Sequence, residues 1–144
     1  MTKKLALLVG VLLIGAAGLG YAAGAANHGT MSAYSEAAWK EIRPGSPVSV
    51  MPLWGDASTG EHGRLLKLPA GFVAPDYAHT GDYHGINLTG TWRHSFDGGE
   101  ERELPPGSYV FQPGMAIHGD ACVGPEDCVL VLHQHEKADF IPKE

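Results

Sequence analysis

The sequence predicts an all-β fold, and three observations support this prediction. Glycine and proline are frequent, with 20 and 10 residues respectively. Short apolar or alternating runs recur at close intervals, and glycine- or proline-rich turns separate them. Long runs with helical periodicity are rare. Short strands at regular spacing are typical of a sandwich or a barrel, so we expect one β-domain over residues 47–144.

Residues 1–26 have the composition of a secretory signal peptide. Lys3 and Lys4 precede a long apolar run, and small residues follow it. A basic segment, an apolar segment and a small-residue cleavage site are the three parts of such a leader. We therefore expect cleavage near Ala25 or Ala26 and a bacterial protein that is periplasmic or secreted. The alternative is an uncleaved anchor, because the apolar run is just long enough to span a bilayer.

Residues 27–46 are polar and are predicted to form a linker or a short helix. The helical pattern covers residues 35–42, with Ser35 as its N-cap. The strands expected after this segment cover residues 48–53, 64–68, 85–92, 108–111 and 128–133.

The charge of the chain limits its partners. Removal of the leader leaves 8 basic and 16 acidic residues, a formal charge of −8. Nucleic acids and anionic membranes require a basic surface, so neither is an expected partner. We expect a small-molecule ligand or substrate, and no stable membrane insertion once the leader is cleaved.

Two histidine-bearing segments point to the chemistry. Residues 107–118 form a glycine turn, a short apolar run and a proline break, and they end at His118. Residues 71–90 contain His79 and His84. Imidazoles from two such β-rich segments can converge on one divalent metal inside a small barrel.

The later segment resembles the second motif of the cupin superfamily, small jelly-roll barrels that often bind one metal. Gly107, Pro113 and His118 match that motif in spacing, and Cys122 replaces its final asparagine. The resemblance implies a single cupin-type jelly-roll β-barrel over residues 47–144. The chain is similar to the cupin domain of some anti-sigma factors and to acetylacetone-cleaving dioxygenases, which have a three-histidine site.

The earlier segment resembles the first cupin motif, with two departures. The matching positions are Gly71, His79 and Gly90. Tyr77 stands where the first histidine is usual, and either His84 or Tyr83 occupies the position of the usual glutamate.

Strand alternation favours His84 at the glutamate position. His84 shares a strand face with Ile86 and Leu88, and a small barrel fills its interior with apolar residues. A bulge near Gly85 would reverse the register and turn Tyr83 inward instead.

The predicted metal ligands are therefore His79, His84 and His118, with Tyr77 or Tyr83 as a catalytic proton donor or acceptor. Neutral imidazoles suit one divalent transition metal (Fe, Zn, Ni, Cu or Mn) better than Mg or Ca, which prefer oxygen ligands. Three ligands leave open coordination positions, as in catalytic sites.

Other histidines are weaker candidates. His94 is one of them, and His133 and His135 lie two residues apart on one face of an expected strand. Such a pair can chelate a metal, but a structural or rim role is favoured here. We assign no role to His28 or His62.

Cys122 and Cys128 are the only cysteines, and a Gly-Pro turn lies between them. In an exported protein this pair predicts a disulfide that closes a hairpin loop. A redox-active or metal-binding thiol pair is the alternative, but the Cys-x-x-Cys spacing of such pairs is missing.

Two functions remain open at this point. The first is an exported, mononuclear metal-dependent enzyme of oxygenase type that acts on a small organic substrate. The second is a non-catalytic metal- or ligand-binding or sensing module, as the similarity to anti-sigma-factor cupin domains implies. The resemblance also implies a possible homodimer, because cupins often pair through edge strands.

Overall fold

The computed structural model describes residues 29–144, and the predicted signal peptide lies outside them. The chain divides into Met1–Met31 and Ser32–Glu144, and the second unit carries the fold. A short 3-10 helix, Tyr34–Glu36, precedes the strands, so the longer helix predicted over residues 35–42 is wrong. Within the described residues, no helix has the length and hydropathy needed to cross a membrane.

The strands are β1 (Lys40–Glu41), β2 (Ser49–Gly55), β3 (His62–Leu68), β4 (Tyr77–Ala78), β5 (Tyr83–Thr89), β6 (Thr91–Phe96), β7 (Glu101–Leu104), β8 (Tyr109–Gln112), β9 (His118–Val123), β10 (Cys128–Gln134) and β11 (Ile141–Pro142).

These strands form two antiparallel sheets, which confirms the all-β prediction. The first sheet has the strand order β1-β2-β3-β10-β5-β8, and the second has the order β11-β4-β9-β6-β7. Sequence neighbours β5 and β6 belong to different sheets. The chain therefore crosses between the sheets at the single residue that separates these two strands.

Gly90 is that residue, and it divides the single strand predicted over residues 85–92. Its φ of 66° lies in the left-handed region, which glycine adopts without a steric penalty. A Cβ at this position would also lie 2.8 Å from the carbonyl oxygen of Asp127. The corner thus needs glycine for both its conformation and its space.

The interior changes from apolar to polar along the strands. The apolar core includes Val48, Leu68, Trp92, Val110 and Leu130. Towards the other end of the same strands, the inward side chains change from Leu68 to Arg64 on β3 and from Cys122 to His118 on β9. Buried polar groups are therefore concentrated at one end of the barrel, and the candidate site lies there.

Candidate metal and ligand site

Two of the three predicted metal ligands lie together inside the barrel. His79 follows β4 and is 8% exposed, and His118 begins β9 and is 1% exposed. Strands β4 and β9 are hydrogen-bonded neighbours. This pairing brings the two rings to a centroid distance of 5.4 Å.

Hydrogen bonds fix both rings in the same neutral tautomer. His79 Nδ1 lies 2.5 Å from the carbonyl oxygen of Asp139, and His118 Nδ1 lies 3.1 Å from that of Ala116. Because a carbonyl oxygen only accepts, each Nδ1 carries the proton and each Nε2 keeps a lone pair. Burial lowers the pKa of both imidazoles, which favours the neutral form. His118 Nε2 is buried without a hydrogen-bond partner among the described residues.

His84 lies on the outer face of the first sheet, so the prediction that it faces the interior with His79 and His118 is wrong. Its ring packs 5.1 Å from the ring of Phe111. Tyr83 takes the inward position and is 3% exposed. The Tyr83 ring lies 5.6 Å from that of His79 and 5.8 Å from that of His118.

The indole of Trp92 accounts for this orientation of β5. Trp92 is fully buried, and its ring packs against Gly85 of β5. A Cβ on residue 85 would lie 3.0 Å from that ring, so the inward position opposite the indole is occupied by glycine. Asn87 also faces inward, and its Nδ2 donates to two backbone carbonyls. The apolar Ile86 and Leu88 point outward and are 44% and 42% exposed.

Both tyrosines that the sequence suggests for proton transfer line the same space. The Tyr77 ring lies 4.3 Å from that of His118, and its hydroxyl donates to Asp120 Oδ2 at 2.6 Å. Burial raises the pKa of Tyr77 and Tyr83 well above the ordinary value of a phenol, and the charge of Asp120 raises both further. Both side chains are therefore neutral hydrogen-bond donors.

Asp120 is the charged centre of this interior, and the sequence analysis missed it. Its Oδ1 accepts from Trp92 Nε1 at 2.6 Å and from His94 Nδ1 at 2.9 Å, while Tyr77 donates to Oδ2. Burial acts to raise the pKa of this carboxyl, but the hydrogen bond from His94, the nearby His94 and His118 rings and the hydrogen bond from Tyr77 together lower it. One signal could have found the residue: Asp120 lies two positions after His118 on the same strand face.

His94 is a structural partner of Asp120 rather than an interior metal ligand. Its Nδ1 faces the Asp120 carboxylate, and its Nε2 lies 3.1 Å from Gln112 Oε1. The Gln112 amide is oriented by its Nε2, which donates to the carbonyl of Ala116 at 2.9 Å. Both ring nitrogens of His94 are therefore held by buried side chains, with Asp120 on one side and Gln112 on the other.

Arg64 is a second interior residue that the sequence analysis missed. It is 7% exposed, its Nη2 lies 3.4 Å from Gln134 Oε1, and its Nε has no partner among the described residues. Within residues 29–144, the two ion pairs between an arginine and a carboxylate involve Arg93 and Arg102, not Arg64. Burial lowers the pKa of the guanidinium, because the charged form is poorly solvated. A buried cation without a counter-ion is costly, so this position favours an anionic ligand.

A cavity of about 320 Å³ lies between the sheets, and several of these groups line it. Apolar side chains, among them Leu66, Phe72 and Phe140, form part of its wall. Its polar lining includes Arg64, Tyr77, His79, Tyr83 and Asp120. The volume and mixed lining are those of a site for a small organic molecule.

Of the three predicted ligands, the interior holds His79 and His118. His62 is a further buried histidine: its Nδ1 donates to the carbonyl of Gly60, and its Nε2 has no hydrogen-bond partner among the described residues. Within residues 29–144, one group of three potential ligand residues has its ligand atoms within 4.8 Å of one another, and it lies outside the barrel. This group is Glu61, His133 and His135.

The predicted disulfide is confirmed. Cys122 and Cys128 are joined, with an S–S distance of 2.08 Å. The bond links the end of β9 to the start of β10, and both residues are buried. It thus closes the turn after the strand that carries His118 and Asp120.

Two facing antiparallel sheets with histidines directed inward define a barrel of the cupin type. A family model described as the ChrR cupin-like domain matches residues 27–138. The chain therefore belongs to the ChrR cupin-like domain family, and the predicted cupin fold is confirmed.

Solved structures show the same fold at low sequence identity. KdgF from Halomonas sp. is 21% identical, with a TM-score of 0.60 over 74% of this chain and 94% of that chain. The polyketide cyclase RemF from Streptomyces resistomycificus is 17% identical, with a TM-score of 0.65 over 81% and 87%. The DMSP lyase DddQ from Ruegeria pomeroyi DSS-3 is 21% identical, with a TM-score of 0.61 over 76% and 62%. A search of curated protein sequences finds no match.

Proposed function

We propose that this protein is a cupin that binds a small organic anion in its interior cavity, beside a divalent transition metal held by His79 and His118. One observation carries the proposal: a single cavity brings an uncompensated guanidinium, Arg64, together with a neutral histidine, His79. The similar RemF and DddQ structures, a polyketide cyclase and a DMSP lyase by name, support a small organic ligand for this fold.

The anion follows from the charge of the lining. A carboxylate or enolate oxygen can pair with the Arg64 guanidinium, which otherwise lacks a counter-ion among the described residues. The neutral phenol of Tyr83 can donate a further hydrogen bond, whereas the single proton of the Tyr77 hydroxyl is already donated to Asp120. The apolar walls favour an apolar remainder on a ligand of small-molecule size.

The interior donors fit a transition metal. His118 Nε2 is a buried, unpartnered lone pair, and its Nδ1–H is held by a backbone carbonyl, which is the usual arrangement for a metal-binding histidine. His79 is held in the same way. The raised phenol pKa values make Tyr77 and Tyr83 poor metal ligands, so ligand or water oxygens would complete the coordination. When bound, such a metal supplies Lewis-acid or oxygen-binding chemistry.

An oxygenase-type enzyme is the catalytic form of this proposal. Tyr83 would then be the hydrogen-bond donor to a developing oxyanion, because it lines the cavity and its raised pKa keeps it protonated. The Tyr77 hydroxyl instead donates to Asp120 Oδ2 at 2.6 Å and holds that carboxylate in place.

A specific observation favours the non-catalytic alternative, a ligand-binding or sensing module. The Asp120 carboxylate accepts three hydrogen bonds, and both tyrosines are neutral. The polar groups around Asp120 are thus engaged with one another rather than free to abstract a proton. In either form we propose that the protein acts outside the cytoplasm, because a leader-like N-terminus accompanies a disulfide.

The proposal is tested with two variants and one matched control. Metal content is measured by mass spectrometry, and binding of malonate and of 2,4-pentanedione by calorimetry. We expect H79Q/H118Q to lose one equivalent of metal. We expect R64M to keep the metal but to bind malonate about tenfold or more weakly, because it loses a charge-assisted hydrogen bond. R102M removes an exposed arginine and should change neither measurement.

Wild-type metal content and malonate affinity in H79Q/H118Q and R64M would contradict the proposal. Oxygen uptake with 2,4-pentanedione separates the two forms of the proposal. Turnover that requires His79 and His118 supports the oxygenase, whereas stoichiometric binding without oxygen uptake supports the binding module.

A further inference from the structure

The outer face of the first sheet carries a cluster of metal-binding side chains that is separate from the cavity. His133 Nε2 lies 2.7 Å from Glu61 Oε1, and His135 Nδ1 lies 4.0 Å from the same oxygen. The His133 and His135 rings are 4.6 Å apart. We propose that Glu61, His133 and His135 form a second site for a divalent transition metal, with His84 beside it.

The sheet itself brings these residues together. His133 on β10 is the direct cross-strand partner of Gly63 on β3 and of His84 on β5. Directly paired residues project from the same face of a sheet, so His133 and His84 lie side by side. Glu61 immediately precedes β3. The cluster therefore combines His133, which strand register places, with Glu61 and His135, which directly flank β3 and β10.

His84 is oriented as an additional ligand. Its Nδ1 is hydrogen-bonded to the Tyr109 hydroxyl at 2.7 Å, so its Nε2 is the nitrogen left for a metal. Its ring centroid lies 5.5 Å from that of His135 and 6.1 Å from that of His133. Histidine ligands of metals typically have the second ring nitrogen held in this way.

A packed wall supports one side of the cluster. The Trp54 ring lies 5.9 Å from that of His133 and covers Gly63. A Cβ at position 63 would overlap this indole, so only glycine leaves room for it. The imidazole of His133 is thereby restrained, which reduces the entropy lost when it binds a metal.

The donor set indicates the class of metal. Two or three imidazoles and one carboxylate suit Zn, Ni, Cu or Co, whereas Mg and Ca prefer oxygen ligands alone. The ligand atoms of Glu61, His133 and His135 already lie within 4.8 Å of one another. Metal bonds of about 2 Å require only small side-chain rotations from this arrangement, and all three side chains are at least one-third exposed.

This site does not depend on the proposed function, because it lies on the opposite face of the sheet from the cavity. The test titrates full-length protein with Co²⁺, followed by visible absorption, and with Zn²⁺, followed by calorimetry. We compare the wild type with H133A/H135A, E61Q and the interior variant H79Q/H118Q. E103Q, which removes another exposed carboxylate, is the matched control.

We expect H133A/H135A to lose one equivalent of metal and to keep the equivalent that depends on His79 and His118. E61Q should weaken the outer site about tenfold or more, since changes to groups that merely support a ligand already cost that much. E103Q should bind as the wild type does. In NMR spectra, Co²⁺ at this site should broaden the His133 and His135 signals in H79Q/H118Q as well.

Unchanged stoichiometry in H133A/H135A would overturn the outer site and leave the proposed function standing. Loss of all bound metal in H79Q/H118Q would also contradict the outer site. Conversely, metal binding that is lost in H133A/H135A alone would support the outer site and contradict the interior one. Thermal melts check that each variant folds.

Discussion

At the residue scale, one carboxylate organises the polar end of the barrel. Asp120 accepts hydrogen bonds from Trp92, His94 and Tyr77, and its Oδ2 lies 3.7 Å from His118 Nε2. The indole belongs to the apolar core, whereas the imidazoles and the phenol belong to the site. Asp120 therefore couples the position of the site to the packing of the core.

We predict that Asp120→Asn lowers the free energy of unfolding by about 2–3 kcal/mol, because the buried Trp92, His94 and Tyr77 lose the charged acceptor of their hydrogen bonds. Urea denaturation at neutral pH measures the change. Asp97→Asn is the control, since Asp97 forms an exposed ion pair with Lys143 and should have little effect. Equal effects of the two substitutions would contradict a stabilising role of the buried Asp120 carboxylate.

A second prediction concerns the adjacent residues Tyr83 and His84. Tyr83 is buried among aromatic rings, so Tyr83→Ala should cost about 3–5 kcal/mol of stability. His84 lies on the outer face, so His84→Ala should cost about 1 kcal/mol or less. Denaturation in the presence of a chelator measures both without a contribution from bound metal. A larger loss for His84→Ala would mean that β5 has the opposite orientation.

At the element scale, the strands that sequence patterns identify are those with apolar residues. Runs in β2, β3, β8 and β10 predict these strands with boundaries close to those observed. In contrast, β9 was missed, because its inward positions are occupied by His118, Asp120 and Cys122. A strand that builds a polar site loses the apolar alternation by which strands are recognised. Edge strand β7 was missed because it is highly charged.

The disulfide acts on two of these elements, because it joins β9 to β10. Closing so short a loop should stabilise the protein by about 2 kcal/mol, so reduction should lower the melting temperature. Calorimetry with and without dithiothreitol measures the difference. A C122A/C128A variant controls for other effects of the reductant and should not respond to it. An unchanged melting temperature of the wild type after confirmed reduction would contradict a stabilising role.

At the scale of the whole molecule, the two predicted motifs are sufficient for the cupin fold and for part of its site. His79 and His118 could be assigned to the interior, because the spacing of the two cupin motifs indicates where each histidine lies along the barrel strands. Arg64 and the His94–Asp120 pair could not, because their roles depend on contacts between segments distant in sequence. The orientation of β5 was likewise decided by Trp92, which reaches it from the other sheet.

Strand β10 has a different chemistry on each side. Its inward residues Leu130, Leu132 and Gln134 face the barrel interior, whereas His133 faces outward. A ligand that enters the cavity and a metal on the outer face would therefore bind to opposite sides of one strand. This arrangement is a consequence of the two-residue period of β structure.

The last prediction concerns export of the whole chain. Lys3 and Lys4, the apolar run and the small residues before Asn27 should direct export and cleavage, and the oxidising compartment should then form the disulfide. After expression in a Gram-negative bacterium, we expect periplasmic protein that lacks the first 25 or 26 residues. Intact-mass measurement with thiol alkylation identifies the cleavage site and the oxidised cysteines. A chain that starts with Met followed by Asn27 should remain in the cytoplasm with both cysteines reduced. Recovery of the uncleaved chain in the membrane fraction would instead support the anchor interpretation and contradict release of a soluble domain.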